Sequence, residues 1–236
     1  MKILKNLITN PFTKAVQINR DVIIKLLKPH KGKILEIGPG YQPILQSLRH
    51  INDKDKYVLE FAGVAEHCKN LGYKCYEQDV RVKWKIKSNS FDIIVSNQCL
   101  EHIYNTDHFI QEAHRVLKPN GIFLVSVPNQ GALAFIFLML LTINPPMNCV
   151  SDLYYSLGNP LSKYKGQKRE APGQTHLRLF MPRAMNELLF LHGFKVIKNH
   201  GGSWGIPLIG RFLGSIFPYY GLYTTVLSKK FEKQNT

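Results

Sequence analysis

Residues 33–43 read KILEIGPGYQP, and this stretch decides the fold of the chain. Its short apolar run, bounded by Gly32 and by a Gly-Pro-Gly turn, predicts a buried parallel strand. Pro43 suits the first position of a helix, so a helix is expected over residues 42–51. A strand, a glycine turn and a helix in this order bind nucleotide-like ligands, because glycines allow close backbone approach and a helix N-terminus offers free N–H groups.

The turn carries an acid and lacks a third glycine. A dinucleotide site would show G-x-G-x-x-G after the strand. Here Glu36 precedes Gly38 and Gly40, and no third glycine follows. A carboxylate at the strand end suits a ligand with an ammonium group better than one with a pyrophosphate. The pattern therefore disfavours an NAD(P)-dependent oxidoreductase.

The run from Glu36 to Gly40 resembles the first motif of class I S-adenosylmethionine-dependent methyltransferases, and residues 30–200 resemble the small-molecule (type 11) group of that family. The resemblance implies an α/β fold, with a Rossmann-like, mostly parallel seven-stranded sheet, an antiparallel last strand, helices on both faces and an acceptor-side insertion. It also implies methyl transfer with S-adenosyl-L-methionine as the cofactor, bound in part by Glu36, Gly38, Pro39 and Gly40.

Further cofactor contacts are expected at the ends of the next two predicted strands. Glu60 lies about 20 residues after the glycines, where an acid can accept hydrogen bonds from both ribose hydroxyls, and Phe61 follows it. The resemblance implies that Asp79 meets the adenine amino group and that Val80 packs on the ring. The predicted strands comprise residues 33–37, 57–60, 74–77, 91–95, 122–127, 194–198 and 223–228, and two later helices comprise residues 105–117 and 182–192.

The loop after the fourth predicted strand should face the ligand, because open α/β sheets bind ligands at the carboxyl ends of their strands. Residues 96–103 read SNQCLEHI and are similar to the matching segment of the small-molecule methyltransferases. The resemblance places Asn97, Gln98 and Leu100 beside the methionine and sulfonium end of the cofactor.

Residues 2–28 predict two helices, broken at Asn10 and Pro11, because asparagine caps helices and proline suits a first turn. These helices form an N-terminal cap over residues 1–31, ahead of a methyltransferase domain over residues 32–236. In the family a leading helix covers the cofactor or the acceptor. The alternative is a helix packed on the sheet.

Residues 129–181 fall outside the alternating pattern of strands and helices and predict an acceptor-side insertion that forms a lid. Within it, residues 132–143 form an apolar run that would span about 18 Å as a helix, too short for a bilayer core of about 30 Å. A core helix, an apolar lid and an interfacial membrane helix all remain open. A cluster of cations suited to anionic lipid headgroups follows: Lys163, Lys165, Lys168 and Arg169.

The chain has a formal net charge of +15, yet residues 34–129 carry 11 basic and 11 acidic residues. The excess positive charge therefore lies in the flanks and suggests an anionic partner, such as a phospholipid surface, nucleic acid or an acidic substrate; a merely solvated surface is the alternative. The four cysteines form no C-x-x-C pair, which argues against both a metal site and a disulfide framework. The polar residues that interrupt the N-terminal apolar stretch predict no secretory signal, and hence a cytoplasmic protein, with peripheral membrane binding as an open possibility.

Two histidines stand where a general base could act on a hydroxyl acceptor. His102 follows the fourth predicted strand, and His176 precedes a later helix in a segment that resembles the acceptor border of the small-molecule methyltransferases. Each could instead be a structural imidazole. No Asn/Asp-Pro-Pro-aromatic tetrad follows the fourth strand, which disfavours nucleic acid as the substrate. We therefore expect a small-molecule, lipid-linked or glycan acceptor; the alternative is an inactive membrane-binding or nucleic-acid-binding protein with this fold.

Overall fold

Seven strands form a single sheet in the computed structural model, which describes residues 2–169, 175–203 and 210–231. The strands are β1 (Ile34–Ile37), β2 (Lys56–Glu60), β3 (Lys74–Glu77), β4 (Phe91–Asn97), β5 (Leu117–Pro128), β6 (Phe194–His200) and β7 (Tyr223–Lys230). Their order is β3-β2-β1-β4-β5-β7-β6, with β7 antiparallel to both neighbours and the other strands parallel to one another. The predicted sheet, including its antiparallel last strand, is confirmed.

Helices cover both faces of the sheet because alternate strand residues point to opposite sides. On one face Leu35 and Ile37 pack with residues of α3 and α5, while on the other Ile34 packs with residues of α1 and α2. The helices are α1 (Lys2–Leu27), α2 (Ala62–Asn70), α3 (Thr106–Val116), α4 (Leu133–Leu140), α5 (Pro182–Leu191) and α6 (Gly210–Ile216).

Two helix predictions are wrong. Helix α1 runs through Asn10 and Pro11, so the break predicted there does not occur. Residues 42–51 form no α-helix and contain only the short 3-10 turn Ile44–Ser47, because Pro43 has an extended ψ of 138° and the N–H groups of the turn bind a side chain instead.

Strand β5 begins five residues earlier than predicted, at Leu117. The expected turn over residues 118–121 persists as an irregularity within the strand, where Asn120 has a φ of 62°. The pairing of β5 with β4 consequently jumps from Leu117 to Ile122.

The predicted insertion leaves and rejoins the sheet at one place. Asn129 pairs with Phe180 in an isolated bridge, so the two ends of the segment lie side by side. Helix α1 contacts both the sheet and the insertion. Ile23 and Leu27 are buried in the same cluster as Ile34 of β1, and Ala15 packs in a cluster with residues of α4 and β7. The helix predicted as a cap therefore also packs on the sheet.

Candidate functional site

The loop after β1 has one crowded glycine and one open glycine, both in the left-handed region. Gly38 has a φ of 63°, and a Cβ there would lie 2.4 Å from Cys99 Sγ, in the loop after β4. Gly40 has a φ of 59°, and a Cβ there would meet no described atom within 4 Å. With Pro39 between them, Gly38 lets the two loops touch, and Gly40 leaves the space above the backbone free for a ligand.

Glu36 lies beneath this loop and holds the following turn. Its side chain is 1% exposed, and its carboxylate accepts hydrogen bonds from the backbone N–H groups of Ile44 at 2.9 Å and Leu45 at 3.1 Å. Burial raises the pKa of the Glu36 carboxyl to about 7, although the two hydrogen bonds act in the opposite direction. Its predicted contact with the cofactor stays a prediction.

Glu60 links the end of β2 to the glycine loop. It is 6% exposed and accepts hydrogen bonds from the N–H groups of Gly40 at 3.1 Å and Phe61 at 2.9 Å. Burial raises the pKa of the Glu60 carboxyl, against the effect of these bonds. The carboxylate therefore reaches the open glycine, where ribose hydroxyls could bind it, while the ring of Phe61 is exposed beside it.

Asp79, the third predicted acid, lies just beyond the end of β3. It forms a bidentate ion pair with Arg81, whose Nη2 lies 2.6 Å from the carboxylate, and the hydrogen bonds from Arg81 hold the pKa of Asp79 below its ordinary value. Val80 packs against the core, and its carbonyl accepts the indole N–H of Trp84 at 3.0 Å. Glu60 thus reaches Gly40 and Glu36 binds the turn that follows, while the cofactor contacts of all three acids and of Val80 stay predictions.

The loop after β4 is fastened to its neighbours. Asn97 accepts a hydrogen bond from Asn19 of α1 at 3.3 Å, and Gln98, with a φ of 56°, donates its N–H to Ser126 O at 2.8 Å. Leu100 is fully buried in the main core. Its predicted contact with the cofactor stays a prediction.

Asn19 is a structural residue that the sequence pattern did not single out. It is 2% exposed, donates to Ser126 Oγ at 2.9 Å and accepts from Thr225 Oγ1 at 2.9 Å. The sequence does contain a signal for this residue. Asn19 lies three positions before Val22 and four before Ile23, which places a polar side chain on the apolar face of α1. This buried network fixes α1 against the strand ends that carry the site.

The two predicted catalytic histidines lie close together in space, although they are far apart in the chain. His102 Nδ1 lies 2.9 Å from Thr175 O, and His176 Nδ1 lies 2.9 Å from Met147 O. The two rings stand 5.0 Å apart. Burial lowers the pKa of both imidazoles, that of His176 to about 4.

Glu101 completes this cluster and was missed by the sequence analysis. It is 1% exposed, its Oε1 lies 4.0 Å from His102 Nε2, and burial raises the pKa of its carboxyl to about 8. The backbone N–H groups of Leu177 and Arg178 both donate to Glu101 O, which ties the end of the insertion to this loop. The available signal was an acid directly before the candidate base His102.

The apolar run of the insertion forms helix α4, and most of its surface is exposed. Phe135 is the buried residue of this helix, while Phe137 is 58% and Leu140 is 74% exposed. Leu141, which follows the helix, is 67% exposed. The core-helix interpretation is therefore wrong, and the interpretations as a lid and as an interfacial helix remain.

The cationic loop of the same insertion is also at the surface. Lys163 Nζ lies 4.5 Å from the ring centroid of Tyr164, and Arg169 Cζ lies 4.2 Å from that of Tyr155, so both cations lie over aromatic rings. The two other lysines of the loop are exposed. None of the helices in the described ranges combines the length and the apolar character needed to cross a membrane.

A protein-family model described as a methyltransferase domain matches residues 13–199. Among curated proteins, the mitochondrial ubiquinone biosynthesis O-methyltransferase of Rattus norvegicus is 28% identical over 122 residues, which cover 46% of this chain and 34% of the rat protein. The chain spans at most about half the length of the curated relatives it matches.

Solved structures share the fold over nearly the whole chain. An S-adenosylmethionine-dependent methyltransferase from Thermotoga maritima superposes with a TM-score of 0.58 at 16% identity, covering 98% of this chain and 95% of the other. A Burkholderia thailandensis 1,6-didemethyltoxoflavin-N1-methyltransferase, solved with that substrate and S-adenosylhomocysteine, gives a TM-score of 0.56 at 14% identity, covering 92% and 79%. At these identities the similarity establishes the fold.

Proposed function

Because the chain belongs to the class I S-adenosylmethionine-dependent methyltransferases, we propose that it transfers a methyl group to an oxygen atom of a lipid-linked acceptor held beside His102 and His176. The observation that carries the proposal is the meeting of these two imidazoles next to the loop after β4. That loop touches the glycine loop through Cys99 and Gly38. The acceptor cluster and the proposed cofactor loop therefore adjoin.

The hydrogen bonds of the two imidazoles support this role. A carbonyl oxygen can only accept, so Nδ1 of His102 and of His176 each carries the proton and donates it to a backbone carbonyl. Each Nε2 then keeps a lone pair for an incoming group. We assign His102 as the base that takes the hydroxyl proton and His176 as an acceptor contact.

S-adenosylmethionine supplies a methyl group on a sulfonium, which is reactive toward direct displacement. The chain has to hold the acceptor oxygen in line with that methyl group and keep water away. As the new O–C bond forms, the acceptor loses its proton, and a positioned imidazole in place of water contributes about 10²- to 10⁴-fold to the rate.

The residues around the glycine loop fit the cofactor. Glu60 ends β2 with a carboxylate at the open glycine, where it can bind both ribose hydroxyls once they replace the Gly40 N–H. We assign the adenine to Asp79 and Val80 beyond β3. We assign the methionine end of the cofactor to the backbone of the glycine loop near Glu36 and to Asn97 and Gln98 after β4, as the resemblance implies.

The surface of the insertion supports a lipid-linked acceptor at an anionic membrane surface, which we propose that the chain reaches from the cytoplasm. Phe137, Leu140 and Leu141 expose apolar side chains on and after α4, and the cationic loop over residues 163–169 belongs to the same segment. Apolar side chains beside cations bind the boundary of an anionic bilayer. The name of the rat relative, a ubiquinone biosynthesis O-methyltransferase, points to the same class of acceptor.

Incubation of the full chain with methyl-labelled S-adenosylmethionine and a cell extract tests the proposal. We expect label in the lipid fraction, and about 10²- to 10⁴-fold less label with His102→Gln. The control His192→Gln, at the surface pair with Asp107, should keep wild-type activity. Label in glycan or nucleic acid instead would overturn the acceptor class, and binding of S-adenosylhomocysteine without any transfer would indicate an inactive relative.

Flotation with liposomes tests the membrane contact. The wild-type chain should float with vesicles that contain phosphatidylglycerol, float less with pure phosphatidylcholine, and detach as salt rises. Phe137→Ser should weaken flotation. Phe190→Ser is the matched control, because Phe190 on α5 is 59% exposed and Phe137 is 58% exposed. Failure to float with either lipid, or equal losses in the two variants, would contradict a membrane contact through α4.

A further inference from the structure

The cluster at the end of the loop after β4 contains a carboxylate that has no hydrogen-bond partner in the described part of the chain. Neither oxygen of Glu101 has a hydrogen-bond partner among the described residues, and the side chain is 1% exposed. A buried carboxylate of this kind is costly unless a donor or a cation satisfies it. No lysine or arginine forms an ion pair with it in the described chain.

The two imidazoles next to Glu101 are oriented as metal-binding histidines are. In metal sites, a histidine ligand usually donates its second ring N–H to a carboxylate, a backbone carbonyl or water, which fixes the tautomer and the ring orientation. His102 and His176 both do this through Nδ1, at 2.9 Å from Thr175 O and Met147 O. Both Nε2 lone pairs are thereby left for a ligand.

The three residues also lie close enough together to share one ion. One ligand atom from each of Glu101, His102 and His176 can be chosen so that all three lie within 4.8 Å of one another. A tetrahedral ion with bonds of about 2.0–2.1 Å needs separations of about 3.3 Å, so on binding the ion these atoms would have to approach one another by up to about 1.5 Å. We propose that Glu101, His102 and His176 bind a divalent transition-metal ion, with Zn²⁺ as the expected occupant.

Two nitrogen ligands and one carboxylate favour Zn²⁺ over the common alkaline-earth ions. Mg²⁺ and Ca²⁺ prefer oxygen ligands, whereas imidazole suits zinc and its neighbours in the first transition row. Two histidines and one glutamate form one of the ligand sets of catalytic zinc, which keeps a fourth position open for water or substrate.

The catalytic consequence of the site rests on the proposed function. A cation beside the acceptor would lower the pKa of a hydroxyl in its open position, so that the proton leaves to solvent before the oxygen displaces the methyl group from sulfur. In the zinc-loaded chain the imidazole of His102 would be a ligand, and the ion would activate the hydroxyl; the role of His102 as the base would apply only to a chain without zinc. Binding of the ion itself requires neither cofactor nor acceptor.

Zinc titration of the chelator-treated full chain tests the site. We expect about one tightly bound equivalent of Zn²⁺, measured by calorimetry and by elemental analysis after desalting. Glu101→Gln and His176→Gln should each raise the dissociation constant by at least about tenfold. His192→Gln is the matched control, because His192 also pairs with a carboxylate, at 2.7 Å from Asp107, but at the surface.

Spectroscopy of the wild-type protein keeps the test independent of how the variants fold. X-ray absorption of the zinc-loaded chain should show two imidazole nitrogens and oxygen at about 2.0–2.2 Å. Sulfur ligation would overturn the assignment, because Cys149 Sγ lies 3.4 Å from His176 N and would be the competing ligand. Absence of tight binding, or an unchanged affinity in both cluster variants, would also overturn it.

These outcomes are separable from those of the proposed function. Tight zinc binding without methyl transfer would support the site and contradict the activity. Methyl transfer that persists without zinc, in a chain that binds none, would contradict the site and leave His102 as the base.

Discussion

The cofactor side and the acceptor side of the site are built in different ways. On the cofactor side, Glu36, Gly38 and Gly40 lie within five residues of one another, and Glu60 reaches them across one strand pairing. On the acceptor side, His102 and His176 are 74 residues apart and meet because the insertion returns to the sheet. The proposed cofactor site thus depends on a compact motif, whereas the proposed acceptor cluster depends on a long excursion of the chain.

The largest effect should come from the crowded glycine. Gly38→Ala adds a Cβ at positive φ and 2.4 Å from Cys99 Sγ, so we expect a loss of about 2–4 kcal/mol in stability and loss of S-adenosylhomocysteine binding. Gly40→Ala is the matched control, with a similar φ but open space, and should cost about 1–2 kcal/mol. Thermal unfolding and calorimetry measure both. Equal costs would show that the contact between the two loops does not restrict this side of the site.

Glu36 should make the stability of the cofactor side depend on pH. Burial raises its pKa from 4.5 to about 7 in the folded chain, so the folded state binds more protons than the unfolded state between these values. The corresponding stability is present below pH 4.5 and is lost as the pH rises through 7. Relative to Glu36→Gln, the wild-type free energy of unfolding should fall by about 2–3 kcal/mol over this range. Urea denaturation at several pH values measures it, and a constant difference would contradict the burial argument.

Glu60 should affect the cofactor and not the fold of the acceptor side. Glu60→Ala should weaken S-adenosylhomocysteine binding by about 1–3 kcal/mol, the cost of removing a charged hydrogen-bond partner. Glu77→Ala is the control, because Glu77 pairs in register with Glu60 but forms an ion pair with Lys69 at the surface. An unchanged dissociation constant for Glu60→Ala would remove this carboxylate from the cofactor site.

Asp79 should give the smallest change in stability. Its ion pair with Arg81 is at the surface, so Asp79→Asn should alter the free energy of unfolding by less than about 0.5 kcal/mol. If Asp79 meets the adenine amino group, the affinity for S-adenosylhomocysteine should still fall by about 1 kcal/mol. Arg81→Gln keeps the carboxylate and removes its present partner, so it should bind at least as well as wild type. Unchanged affinity in Asp79→Asn would leave adenine recognition to other residues.

Local patterns were sufficient for the sheet but not for the turn after β1. Alternating apolar residues and short apolar runs located all seven strands, because the residues of a buried strand are themselves mostly apolar. The helix expected over residues 42–51 failed, because the N–H groups of Ile44 and Leu45 bind the Glu36 carboxylate. That competition depends on a side chain eight residues away, which helical periodicity does not include.

The sequence by itself determined the seven strands, the glycine loop and the position of Glu60 at a strand end, since each depends on residues that are close in the chain. Tertiary structure alone decided that Glu101, His102 and His176 form one cluster and that α4 exposes its apolar side chains. The physical reason is that the path of the insertion decides which residues meet and which are buried. The local pattern of side chains does not predict that path.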